Sequence, residues 1–294
     1  MQKIGKIFIK ILASSLCLLL LSCGCKDTTN VPLASYEFKY TEDVYNYGSL
    51  SIGSCKKLTG NVYTLVIFID DSESSWNEAD RKTFYDNRYF PSVNYLSQQA
   101  EKRGVSLSLQ SGQYTTKSDL KTPIKHNGKV ANSIKNASLS LDLLNTAATA
   151  LGFTDAEYMN IFLKRNLGVE QIAFVLVINK PGSAYAVYDT KYDEEEELEF
   201  VVAFSKNEDG KDNIGSSVLH ELLHLFGATD LYDDMGVYKK RFELCNKLYP
   251  NDIMMKSAVN PDSLEIGALT ECLIGWSDYF PSVCDCPEWW EKSN

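Results

Sequence analysis

The chain has 294 residues, 44% hydrophobic and 12% aromatic, which supplies a packed core and excludes disorder as its default state. Its formal charge is −10, and setting aside Lys3, Lys6 and Lys10 at the start leaves 26 basic against 39 acidic side chains, or −13. A surface of that sign excludes nucleic acid and anionic headgroups as natural ligands.

The three lysines precede an apolar run, residues 11–21, that is too short to span a bilayer comfortably and has the pattern of a secretory signal over residues 1–22. It ends in Leu20-Leu21-Ser22-Cys23, which resembles the lipobox of bacterial lipoproteins. The resemblance implies cleavage before Cys23 and acylation of it, with an ordinary signal peptide or an uncleaved anchor helix as the alternatives. Gly24 follows, where an aspartate often marks inner-membrane retention, so the outer membrane or cell surface of a bacterial envelope is favoured. Membrane attachment then comes from acyl chains rather than from charge.

Residues 23–61 hold the anchor, a polar tether and an N-terminal segment without clear periodicity. A single folded domain is predicted over residues 62–282, with a tail at 283–294. Residues 62–69 read as a strand buried on both faces. Helical spacing follows to Arg103, with a break or kink at Pro91, and then a strand over residues 105–109. Residues 111–136 read as a surface excursion, with His126 in a turn-like setting. Helices are predicted over 139–151 and 155–167, the second capped by Thr154. Strands at 172–178 and 184–188 are joined by the turn signal Asn179-Lys180-Pro181-Gly182, and a third strand spans 198–204. The acidic run Asp193 to Glu197 reads as a solvated loop rather than a calcium site. Residues 262–276 read as a helix after Pro261, and Trp289-Trp290 as a pair packed back onto the domain. No internal repeat is present, and the alternation of strands and helices points to one α/β domain.

Past the anchor stand Cys25, Cys55, Cys245, Cys272, Cys284 and Cys286. Without any C-x-x-C pair, they imply one or two structural disulfides or buried thiols rather than a second metal site.

The chemistry concentrates at Val218-Leu219-His220-Glu221-Leu222-Leu223-His224. Histidines four apart on a helix share one face and can hold one metal ion, and the adjacent Glu221 can take a proton from water at that metal as general base. With three histidines in the chain, an H-E-x-x-H string arises by chance in roughly two of a thousand such sequences, so the functional reading dominates. Gly227 lies where a glycine ends a helix in the left-handed conformation and turns the chain back.

The string H-E-x-x-H-x-x-G-x-x-D, residues 220–230, resembles the metzincin signature of zinc peptidases, in the aspartate variant of snapalysin-type enzymes. Asp230-Leu231-Tyr232-Asp233 is also similar to the segment that follows this motif in immune-inhibitor-A-type peptidases. The resemblance implies Zn2+ held by His220, His224 and Asp230, although a distant acid, as in gluzincins, is an alternative third ligand. It further implies a methionine turn at Asn251-Asp252-Ile253-Met254-Met255, with Met254, or Met255 as the alternative, packed beneath the metal. Lys256 stands where some metzincins carry an assisting tyrosine. Ser183, Ala184 and Tyr185 would belong to an edge strand that pairs with substrate, or else to an ordinary hairpin arm.

The expected architecture is therefore α/β (α+β), a metzincin-like zincin domain: a mixed twisted sheet, an active-site helix and a C-terminal helical subdomain. The expected function is a zinc-dependent endopeptidase acting on protein or peptide, exported and lipid-anchored. The alternatives are a zinc-binding adhesin on a peptidase scaffold and a cell-wall peptide amidase.

Overall fold

Residues 62–69 have almost no exposed surface, and they form the middle of the central strand. The computed structural model describes residues 29–30, 55, 57–114, 123–137, 141–187, 198–213, 215–232, 239–258, 261–279 and 281. The leader, Cys23, the acidic run at 193–197 and Trp289-Trp290 lie outside them. The strands are β1 (Thr29–Asn30), β2 (Gly60–Asp70), β3 (Leu107–Tyr114), β4 (Ile124–Lys125), β5 (Gln171–Pro181), β6 (Tyr185–Val187) and β7 (Phe200–Lys206). They form a sheet in the order β1-β3-β2-β5-β7-β6, with β4 also pairing β2. Every pairing is parallel except that of β6, which runs antiparallel to β7 at the edge. The α/β class with a mixed sheet is as predicted.

Because strand side chains alternate, the sheet feeds two cores. Val62, Val66 and Phe68 face helices α1 (Glu78–Phe84), α2 (Phe90–Lys102) and α5 (Gly215–His224). Tyr63, Leu65 and Ile67 face α3 (Asp142–Ala150) and α4 (Ala156–Leu167). Two shorter helices, α6 (Lys239–Leu248) and α7 (Ala268–Leu273), complete the C-terminal part. Among the described residues no helix is long and apolar enough to cross a membrane.

Several local expectations are corrected. Pro91 does not break its helix: a π-helical turn, Tyr85–Tyr89, precedes it, and the proline falls in the first turn of α2, where its missing N–H is not needed. β3 extends into the presumed excursion because Ser111 is small enough to be fully buried, bonded to the Tyr85 hydroxyl at 3.1 Å. The N-cap of α4 is Asp155, whose side chain accepts the Tyr158 N–H, rather than Thr154. The predicted hairpin between residues 172–178 and 184–188 does not form; β5 continues to Pro181, and β6 pairs with β7. Finally, the helix predicted over 262–276 is confined to Ala268–Leu273, because Glu265 is drawn into a bridge with Asp252 and Gly267 is extended.

Two tethers fix what surrounds the future site. At the end of β5, Lys180 reaches Asp71 at 2.5 Å, Glu73 at 3.1 Å and the Val130 carbonyl at 2.7 Å. Near the other end, Leu58 donates to the Ile274 carbonyl at 2.9 Å, and the Trp276 indole donates back to the Leu58 carbonyl at 2.7 Å. Cys55 donates its thiol to the Ile172 carbonyl, and Cys272 is a free thiol.

Candidate metal centre

Helix α5 is seated by its apolar stripe, with Val218, Leu219, Leu222 and Leu223 all buried. Its first residue, Gly215, touches α2 so closely that an added Cβ would lie 1.9 Å from Ser92 Oγ and 2.3 Å from the Arg88 carbonyl oxygen. Only glycine permits that approach, and it sets the depth at which the histidines emerge.

The helix ends as its sequence dictates. Gly227 has φ +97°, a left-handed conformation, and the Ala228 N–H returns to the Leu223 carbonyl at 3.1 Å. The chain doubles back, and Leu231 donates to the Met254 carbonyl at 3.0 Å, which brings the preceding residue over the helix. Asp230 Oδ1 thereby lies 2.9 Å from His220 Nε2 and 3.3 Å from His224 Nε2. One ligand atom from each of the three residues falls within 4.8 Å of the others.

The outer hydrogen bonds decide the tautomers. His220 Nδ1 faces the Ile253 carbonyl at 2.9 Å, and His224 Nδ1 faces the Ala228 carbonyl at 2.9 Å. A carbonyl only accepts, so each Nδ1 carries its proton and each neutral ring presents an Nε2 lone pair to Asp230. Two lone pairs and a carboxylate oxygen pointing at one another require a proton or a cation between them. This donor set fits a metal ion held by imidazole and carboxylate.

The titration tendencies express the same demand. Burial alone would lower the His220 pKa, but the Asp230 carboxylate, with Glu221 and the Ile253 carbonyl, outweighs it and raises the value above the ordinary imidazole range. Burial would likewise raise Asp230, yet the two imidazoles prevail and hold it below the usual carboxylate range. Glu221 is pushed up, chiefly by burial, against the pull of the two histidines and an N–H bond from Ala186.

Beside this cluster lies a cleft of about 430 Å³. His220, Glu221 and Tyr232 face it, with Gly182, Ser183 and Ala184 from the approach to β6 and residues 255–257 from the end of the turn at 251–255 and just past it. Ser183 and Ala184 therefore reach the cleft. Tyr185 does not line it; its ring packs near Phe204 in the opposite core, where burial raises its hydroxyl pKa to about 12. Met254 is fully buried, whereas Met255 borders the cleft.

Three features escaped the sequence reading. Tyr232 packs 5.8 Å from the His220 ring and gives the cleft a phenol. The Ala186 amide addresses Glu221 from the edge strand. Asp252 is almost wholly buried beneath the turn, and burial raises its carboxyl pKa despite the donors around it. Tyr232, two residues after Asp230, carried a readable signal; the other two depend on distant partners.

No protein-family model and no curated protein is matched by the sequence. Among solved structures, the crystal structure of metalloproteinase-II from Bacteroides fragilis is similar over 79% of this chain and 58% of that one, with a TM-score of 0.37 and 9% identity. The chain thus spans less than two thirds of that protein, and a likeness this distant says nothing about chemistry.

Proposed function

We propose that the chain is a zinc-dependent endopeptidase of the bacterial cell envelope, anchored through Cys23 at the outer membrane or cell surface. The observation that carries this reading is the convergence of two imidazole Nε2 atoms and the Asp230 carboxylate within 4.8 Å, with Glu221 on the same helix and in the same cleft. His220, His224 and Asp230 would hold the ion. When bound there, zinc supplies Lewis acidity that polarises a peptide carbonyl and lowers the pKa of water.

The remaining work falls to the chain's own groups. A Glu221 oxygen removes a proton from the attacking water and delivers it to the leaving amine nitrogen. The Ala186 N–H holds that carboxylate, so the base need not reorient between the two transfers. β6 pairs with β7 on one side, and the Ala186 amide turns to the other, toward the cleft. Backbone groups alternate in direction along a strand, so Ala184 and the Ala186 carbonyl would face an extended peptide, whereas Tyr185 would bond to β7.

Metal analysis of the purified mature domain, paired with peptide-library cleavage before and after chelation, tests the reading. Equimolar zinc, loss of cleavage with chelator and its return on adding zinc are the expected results. Zinc-loaded protein that cleaves no peptide would overturn the peptidase reading in favour of a binding protein. Recovery in the membrane fraction that survives a Cys23→Ser substitution would remove the anchor.

A further inference from the structure

We infer that Asp252 is a positioning residue for the metal centre, acting through the turn that receives His220. This rests on the proposed metal site and adds a role for a buried carboxylate that touches neither metal nor substrate. Its surroundings are closed: Asp252 accepts the Met254 N–H at 2.7 Å, the Gly267 N–H at 2.8 Å and the Thr270 hydroxyl at 3.0 and 3.1 Å. The approach is tight, since a Cβ on Gly267 would lie 2.6 Å from Asp252 Oδ2.

One carboxylate therefore joins the turn at residues 252–255 to the first turn of α7. Two carbonyls of that turn reach the site directly. The Ile253 carbonyl accepts the His220 Nδ1–H, and the Met254 carbonyl accepts the Leu231 N–H beside Asp230. Two of the three metal-facing side chains are thus oriented by consecutive carbonyls of a turn whose conformation Asp252 sets. The Met254 N–H that Asp252 holds shares its peptide plane with the Ile253 carbonyl, and the preceding plane is fixed by the Ile253 N–H on the Glu265 carbonyl at 2.9 Å, so neither rotates without breaking a bond. Partners of this outer kind tune metal affinity as well as fold stability.

The test uses the whole mature protein and two variants. Asp252→Asn keeps the shape but places an NH2 group where one donor already stands, and Thr270→Val removes a single donor while leaving the turn's backbone bonds intact. Zinc affinity is read by competition with a chelating indicator. Imidazole Nδ1 proton exchange is read by NMR on the metal-free protein. We expect zinc affinity to fall by about 10-fold in Thr270→Val and up to about 100-fold in Asp252→Asn, with faster exchange of the His220 Nδ1 proton and little change in KM for peptide. If Asp252→Asn fails to fold, Thr270→Val decides alone. Folded variants with lower melting temperatures but unchanged zinc affinity and unchanged proton exchange would reduce Asp252 to a structural residue and overturn the inference. Should the wild-type protein bind no zinc, the function proposed above fails, while the exchange rates still decide the role of Asp252.

Discussion

Glu221→Gln should lower kcat/KM by about 10²- to 10⁴-fold while leaving zinc content and melting temperature near those of the wild type. The amide keeps the size of the carboxylate and an oxygen that can still accept the Ala186 N–H, so the local structure has no reason to change. What it cannot do is accept a proton from water at neutral pH. The loss corresponds to roughly 3–5 kcal/mol of transition-state stabilisation, at 1.36 kcal/mol per decade. Stopped assays on a denatured protein substrate, with zinc quantified in the same samples, make the comparison. Equal rates in a zinc-loaded variant would remove Glu221 from the mechanism.

Lys180→Met should cost about 3–5 kcal/mol of folding stability, because it strands a buried carboxylate rather than removing a surface pair. The Asp71 side chain has no exposed surface and that of Lys180 only 9%. Burial pushes the Asp71 pKa up, but the Lys180 ammonium, N–H bonds from Val130 and Glu73, and the Ser74 hydroxyl together bring it down to about 2 from 3.8. A depressed carboxylate stabilises the fold above its unfolded pKa, and that contribution, about 2 kcal/mol, is lost as pH falls from roughly 4 through 2. Without Lys180 the folded pKa rises, so the acid loss should move to higher pH. Urea denaturation at pH 7 and at pH 3 measures both effects. A change below about 1 kcal/mol at pH 7 would show the pair to be no better than a surface bridge. Replacing Asp71 as well should not restore stability, since the Val130 and Glu73 amides would lose their acceptor.

The cleft also depends on this pair. Lys180 binds the Val130 carbonyl, and the Asn132 carbonyl in the same segment accepts the Ser183 N–H, so the tether holds the approach to β6. A stability change here should therefore appear in KM before it appears in kcat.

What the sequence disclosed and what it concealed follow from range. The helical period of His220 and His224, the glycine at position 227 and the unbroken apolar run at 62–69 are local signals, and each produced the element it implied. Asn179-Lys180-Pro181-Gly182 is equally local and misled, because the lysine is held inside by an acid 109 residues away. The C-terminal helix was overlong for the same reason: Asp252 takes the donors of Gly267 and Thr270, 15 and 18 residues downstream, and Glu265 bridges to it. Helix periodicity cannot register such bonds. Ser111 has the polarity of a loop residue, yet two buried tyrosines, one of them bonded to it, make a polar place for it within the core.

The bonds between Leu58 and residues 274–276 join the approach to β2 to nearly the last described residue of the chain. A ribosome makes Leu58 more than two hundred residues before Trp276, and contacts of such separation close late. Until residues 267–276 emerge, the turn beneath His220 lacks the Gly267 and Thr270 donors and β2 its lock, so a nascent or prematurely terminated chain carries the histidines without a finished site.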